Sequence, residues 1–542
     1  MSCFEALRIV VATVPLATAA IAQDTQRVSE AADGTPSDAP TRFPSIASDG
    51  RSVVFATQSD NLVAGVSGTV EQVYLKDMVS GVVTLVSVDA LGNPGDRFSR
   101  NPWISEDGTK VVFESAATNL SDKDPDATVD LFLRDVVAGT TTYLRQDSAH
   151  PHLSADGDVV AFETGVPFDP SDKNNLTDVY VLDRSTHTVE LVSGDASGAT
   201  LRFDSIEPTL SSDGAFVAFT TGGPLDPNDG NSALDVYVRD RTNGVTTRVT
   251  TSTTGGDSDD YSRYPWISGD GDRVAFTSRA DNLIAGDTNA VEDCFVRDLV
   301  AGTCVRVSVA SDGTEGNDRS LGTALSGDGS TVAFGSAATN LVDPNPTGPQ
   351  LYVHHLPTGV THMLSVADDG TPSDQGAAAT GITRDGFDVA FWSDSTNLDS
   401  NPGSNPTQSY VRHRPRTAAS VQGYGAGFPG TLGTPVLSAA NLPLLASAFV
   451  MNADNSLGQT TMGLLALGLQ RASIPLRHGT LLVDIAFTLP VVVDASGWNA
   501  TFTVPVGESW VGAIADTQLF ESDPGAVGSI SMTQGLEVVV GY

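Results

Sequence analysis

Three features predict an all-β chain. One signature occurs seven times, each copy reads as four short strands, and the N-terminal segment matches the end of the sixth copy. The predicted architecture is a seven-bladed β-propeller closed by an N-terminal strand, followed by a C-terminal β-sandwich domain. The expected divisions are residues 1–22 as a signal peptide, 23–416 as the propeller and 417–542 as the sandwich.

Residues 1–22 read as an export signal. Ile9 to Ala20 are apolar, and Ala20-Ile21-Ala22 forms a small-x-small cleavage site before Gln23. Arg8 is offset by Glu5, so the charged start is weak. The apolar stretch is short for a membrane span, and no later apolar run reaches ~20 residues. A secreted, periplasmic or cell-surface bacterial protein without a transmembrane segment is expected, as a monomer.

An Asp-Gly pair recurs at Asp49, Asp107, Asp156, Asp213, Asp270, Asp328 and Asp385. Five residues after each Gly stands a Phe: Phe55, Phe113, Phe162, Phe219, Phe276, Phe334 and Phe391. Further on stands an aromatic: Tyr74, Phe132, Tyr180, Tyr237, Phe295, Tyr352 and Tyr410. These two columns are expected to form the core between blades. In residues 101–145, "NPWIS" reads as strand a, "TKVVFES" as b, "DLFLRD" as c and "TTYLR" as d. Turns of Asp-Gly type supply residues that tolerate positive φ. No period of 3.6 appears in any unit, which excludes a helical repeat.

The seventh unit ends near "SYVRHRP" without a strand d. Residues 25–38, "TQRVSEAADGTPSD", align with 361–374, "THMLSVADDGTPSD". The first strand after the signal is therefore predicted to complete the last blade and remove the free sheet edges. After Arg416 the composition changes. The segment 417–542 opens Gly-rich and continues with alternating runs such as "TLLVDIAFTLPVVV", as in a sandwich of ~100 residues.

The unit "PxxSxDGxxVAFxSxATNLxxxDxNxxxDxYVRDxxxGxTxRVS" resembles the TolB-type (WD40-like) propeller repeat of exported bacterial proteins, most fully at residues 264–309. The resemblance covers about residues 24–415. TolB is six-bladed with a different N-terminal domain, so its role in envelope assembly does not carry over to seven units without that domain. The tail, with "YGAGFPGTLGTP", resembles C-terminal modules on secreted proteins of planctomycete-like bacteria. Those modules often carry cysteines in the Gly-rich opening, where this chain has Phe428.

The net charge is −37, from 66 acidic and 29 basic residues among 542. Nucleic-acid binding is excluded, because phosphate recognition needs a basic footprint. The long b–c and d–a loops are expected on one face and the short turns on the other, and long loops on a rigid scaffold are where binding resides. Segments such as "DPSDKN" make that loop face acidic, which favours cations or cationic partners.

Four b–c loops carry D-x-[DN]-x-x-x-D: Asp124/Asp126/Asp130, Asp172/Asn174/Asp178, Asp229/Asn231/Asp235 and Asp287/Asn289/Asp293. Alternating oxygen donors suit calcium, the one metal the sequence suggests, whereas Asp and Asn also cap turns. Units one, six and seven place Gln72, Gln350 and Gln408 at the last position, so calcium is not a requirement of every blade. Trp103, Trp266 and Tyr264 are candidates for stacking on a sugar or peptide, or for packing between blades. Arg97, Arg100 and Arg263 are candidates for an anionic ligand or for pairing with nearby Asp. His354 and His355 are adjacent on a strand and face opposite ways. Cys294 and Cys304 fall in one hairpin, as a disulfide or as two thiols.

G-x-S-x-G, H-E-x-x-H and the phosphate-loop motif are absent, and the tail does not suit an α/β-hydrolase partner. The expectation is a non-catalytic binding or scaffold protein with an unidentified protein or glycan partner. The alternatives are a glycosidase or lyase using loop-face carboxylates, which needs a suitably spaced pair, and a structural cell-surface protein.

Overall fold

A computed structural model of the chain describes residues 24–414 apart from 125, 196, 344, 345, 347, 368, 400 and 402–406, together with strands of the tail. The proposed signal at 1–22 lies outside the described residues. The chain divides into two compact units, Gln23–Arg414 and one that takes in Pro415–Tyr542. No helix among the described residues is long and apolar enough to cross a membrane.

The first unit is a seven-bladed β-propeller. Each blade is a four-stranded antiparallel sheet in the order a-b-c-d. In blade one these strands are Thr41–Ile46, Ser52–Thr57, Gln72–Asp77 and Val83–Leu85. The remaining a strands are Ser99–Ile104, Ser148–Leu153, Ser205–Leu210, Ser262–Ile267, Ser320–Leu325 and Ala377–Ile382. Each a strand touches its counterparts in both neighbouring blades, and the seven close a ring around a central channel.

The seventh sheet is Ala377–Ile382, Asp388–Ser393, Gln408–His413 and Asp24–Arg27. The closing strand pairs Asp24 with His413 and Arg27 with Tyr410. Val28 then enters the core shared with blade one, fully buried. Arg412, also buried, donates to Thr25 Oγ1 at 2.6 Å, and the Arg27 side chain meets Asp399 at 3.0 Å.

The repeated signature has a physical basis in each blade. The Phe of strand b lies directly across from the aromatic of strand c. Ring centroids in these seven pairs are 5.5 to 6.2 Å apart, with the rings near parallel. Strand b alternates between this rung and small or β-branched residues that face the adjoining blade. Each Asp-Gly pair makes the a–b turn, as at Asp107-Gly108, where Gly108 has φ 72° and Asp107 Oδ1 accepts from the Thr109 N–H at 2.9 Å.

Cys294 and Cys304 are free thiols. Cys304 lies across from Arg297, three residues along strand c from Cys294. An odd offset puts the two on opposite faces of the pleat, so no disulfide joins them.

In the tail the described strands form a six-stranded sheet that includes Thr461–Leu476 and Gly479–Val493, and a three-stranded sheet of Leu437–Ala439, Ala448–Ala453 and Trp498–Thr503. The side chains that would pack such sheets into a sandwich lie largely outside the described residues, as does Phe428.

Candidate functional site

The channel has two unlike ends. At the short-turn end, side chains from all seven blades enclose a cavity of about 70 Å³. Trp103 lies 4.2 Å from His152 and 5.2 Å from Trp266, ring centre to ring centre, and these three rings fill the axis. They pack against the apolar clusters between blades. His152 Nδ1 accepts the Leu210 N–H at 3.2 Å, and burial pushes its pKa down to about 3. Below the rings, the Glu106 carboxylate accepts from the Ser212 hydroxyl and meets Arg384 at 3.2 Å. One side chain thereby ties blades two, four and seven across the axis.

Toward the long loops the wall is built by a bulge in every a strand. The ladder slips between Arg42 and Ser45, Arg100 and Trp103, Ala149 and His152, and so on around the ring. The third residue of the strand takes positive φ in six blades: Phe43, Asn101, His150, Glu207, Tyr264 and Gly322. Such bulges re-aim side chains and expose a backbone donor. Four of the freed N–H groups find an acceptor on the preceding blade, Gly322 on Thr277 Oγ1 at 3.3 Å among them. The His150 N–H bonds Glu114 at 2.9 Å, the Glu207 N–H bonds Glu163 at 3.2 Å and the Tyr264 N–H bonds Glu207 at 2.8 Å.

The same carboxylates hold the nearby cations. Arg100 meets Glu114 at 3.1 Å and Arg263 meets Glu207 at 2.9 Å. The His150 ring bonds Glu163, which raises the imidazole pKa. Arg100 and Arg263 thus pair with Glu rather than Asp, and Arg97 is exposed. Arg263 also lies over the Tyr264 ring at 4.0 Å. Phe43 and Tyr264 remain 43% and 42% exposed, large apolar rings that the strained backbone holds in the open.

Sequence reading missed Glu114, Glu163, Glu207 and His150. A signal was present: the residue after each Phe is Ala56, Glu114, Glu163, Thr220, Thr277, Gly335 or Trp392, a column that changes chemistry around the ring. His354 and His355 serve structure, bonding Thr361 and Thr358, and burial holds both near pKa 4.

The long loops are pinned. Asn119 Nδ2 donates to the Pro94 carbonyl at 2.9 Å, and Asn282, Asn340 and Asn397 make the same clip to the loop before their own strand a. Exposed carboxylates on these loops include Asp96, Asp259, Asp281, Asp318 and Asp374.

The four D-x-[DN]-x-x-x-D loops do not share one arrangement. In blade three, Asn174 Nδ2 donates to Asp178 at 2.8 Å and the Tyr180 hydroxyl donates to Asp172 at 2.7 Å. In blade four, Arg248 from strand d meets Asp226 at 3.3 Å, Asp229 at 3.6 Å and Asp257 at 2.8 Å, and the Tyr237 hydroxyl donates to Asp229. Asn231 bonds the Ser258 carbonyl at 2.8 Å rather than Asp235, whose pKa burial lifts to about 6. In blade five, Arg306 lies among Asp287, Asp293 and Glu315, and Asn289 donates to Asp293 at 2.8 Å.

In blade two, one oxygen from each of Asp124, Asp126 and Asp130 lies within 4.8 Å of the others. Burial raises the Asp130 pKa to about 6, and Asp124 and Asp126 add to the rise. In the blades that carry Gln, a single amide supplies both donor and acceptor. Gln72 Nε2 donates to the Gly95 carbonyl at 2.8 Å while its Oε1 accepts from Ser87 at 2.5 Å.

No family model and no curated protein matches the sequence. Among solved structures, the chain is similar to TolB of Agrobacterium tumefaciens at 16% identity, over 50% of this chain and 81% of that one, with a TM-score of 0.32. It is similar to the RRP9 WD40 repeats at 10% identity, over 72% and 99%, with a TM-score of 0.38. A periplasmic gluconolactonase of Pseudomonas aeruginosa matches at 17% identity, over 61% and 86%, with a TM-score of 0.30. Likenesses this distant carry no argument about activity; the seven sheets and their closing strand, read from this chain's own pairing, make it a β-propeller.

Proposed function

We propose that the protein is an exported, non-catalytic binding or scaffold module that takes its partner on the long-loop face, around the channel mouth. One observation carries the reading: Phe43 and Tyr264 are held exposed at positive φ on the channel wall. Strained, solvent-facing aromatics on a rigid ring favour a ligand that stacks on them. The pinned acidic loops around them favour a cationic protein segment or an amine-bearing glycan over an anion.

A binding screen of glycans and basic peptides against the protein and its Tyr264→Ala variant tests this. The expected result is a ligand whose affinity falls about tenfold or more in the variant, as for a lost aromatic anchor. A ligand bound equally by both proteins would overturn the placement.

The rival, a carbohydrate-active enzyme, draws support from His150 beside Glu163, with Glu114 and Glu207 close by. It requires glycan turnover that Glu163→Gln abolishes. Against it, each of these carboxylates already accepts a backbone N–H and holds a cationic or ring partner, which suits a structural link better than proton transfer.

A further inference from the structure

We infer that the b–c loop of blade two is a calcium site formed by Asp124, Asp126 and Asp130, and that it is the one D-x-[DN]-x-x-x-D loop of the four that takes a cation. The inference does not depend on which partner the loop face binds.

Three kinds of internal donor satisfy the matching loops elsewhere, two in each loop, and blade two has none of the three. The first is the strand c tyrosine, whose hydroxyl reaches the leading Asp in blades three and four. Blade two has Phe132 there. The second is the loop Asn, whose amide reaches the last Asp in blades three and five. Blade two has Asp126, which carries no donor. The third is the strand d arginine, Arg248 or Arg306, opposite the strand c aromatic in blades four and five. Blade two has Tyr143 at that rung.

The result is visible in single atoms. Asp130 is fully buried. Its Oδ1 accepts from the Asp147 N–H and the Thr128 hydroxyl, while its Oδ2 is buried with no hydrogen-bond partner. Asp124 Oδ2 is buried and unpartnered as well. No ion pair reaches the three carboxylates among the described residues, and Lys123 on the same loop is exposed.

Three carboxylates this close, with two buried oxygens unpartnered, repel one another unless one takes up a proton or a cation lies between them. Blades four and five each hold one such oxygen, Asp235 Oδ2 and Asp287 Oδ1, but there Arg248 or Arg306 supplies the positive charge that blade two lacks. A mutual spacing within 4.8 Å suits ligands about 2.3–2.6 Å from one shared ion. An all-oxygen donor set selects a hard ion over zinc or copper. A short irregular loop, with carbonyls and water to complete the shell, suits calcium better than strictly octahedral magnesium. Arg248 and Arg306 are then built-in substitutes for the ion.

The test is calcium titration of chelator-treated protein by calorimetry, with thermal melts alongside and magnesium as a parallel arm. The expected result is one calcium per chain, with Kd below about 1 mM as for extracellular modules, weaker magnesium binding and a melting midpoint that rises with calcium. Asp126→Asn, an exposed position, should weaken binding about tenfold or more. Tyr143→Arg should abolish binding and leave a midpoint indifferent to calcium. If Tyr143→Arg fails to fold, Asp126→Asn decides alone. No binding at 10 mM calcium (~10-fold above the weakest extracellular modules), several ions per chain, equal affinity for magnesium, or Asp126→Asn binding as wild type would each overturn the inference.

Discussion

His152 is a buried imidazole with aromatic rings on one side and a backbone donor on the other. Its native pKa, about 3, lies far below the value of 6.5 expected when unfolded. As pH falls below 6.5 the unfolded chain takes up a proton that the native ring refuses. Stability from this group is therefore complete above about pH 6.5 and is lost toward pH 3, at about 1.4 kcal/mol per pH unit. His354 and His355 act in the same direction down to about pH 4. Urea melts at pH 7 and pH 5 should show this loss, and His152→Phe should reduce the slope between the two pH values. The thiols give a second expectation at this scale. Both are free and on opposite faces of the hairpin, so a reductant should leave the melting midpoint unchanged; burial also raises both, Cys304 to about 11. Sequence alone left that pair open because hairpin register, which decides the faces, is not written in the spacing of Cys294 and Cys304.

Strands and turns were readable because their chemistry is local and repeated. A Phe, a later aromatic and an Asp-Gly turn each do the same work in all seven blades, so the columns stand out. Phe276, fully buried against Phe295, is one such rung; Phe276→Ala should cost about 3–5 kcal/mol in a denaturant melt. The bulge in strand a was not readable for the opposite reason. It is a backbone feature carried by Phe43, Asn101, His150, Glu207, Tyr264 and Gly322, which share no side-chain property. Its acceptors, Glu114, Glu163 and Glu207, therefore looked like three among 66 acidic residues. If they link blades, Glu163→Ala should cost about 1–3 kcal/mol by stranding the Glu207 N–H, a loss that Gln at the same position should largely avoid. The b–c loops lie between these cases. Their motif was visible, but whether an arginine comes to lie beside it depends on a strand d residue some twenty positions away.

At the scale of the molecule, the ring and its closure were predictable because "DGTPSD" occurs at both ends of the propeller and the two copies form the same turn, Gly34 and Gly370 each at φ 83°. The closing strand is short, yet it feeds the fully buried Val28 into the next blade. Val28→Asp should lower stability by more than about 3 kcal/mol, read as a drop in melting midpoint with an expanded particle in gel filtration. Most of what remains unread at this scale is the tail, whose Gly-rich opening and alternating runs announce β-structure without announcing a repeat to count. The pairing of Asp24–Arg27 with Gln408–His413 also sets a schedule. The closing strand must wait, unpaired, until nearly four hundred more residues have left the ribosome. Through that interval strand c of the last blade does not yet exist, and the waiting strand is an open edge that any other β-segment could capture. A chain built this way gains from a holdase while it waits, and a premature stop anywhere before residue 408 releases a ring that has no means of locking.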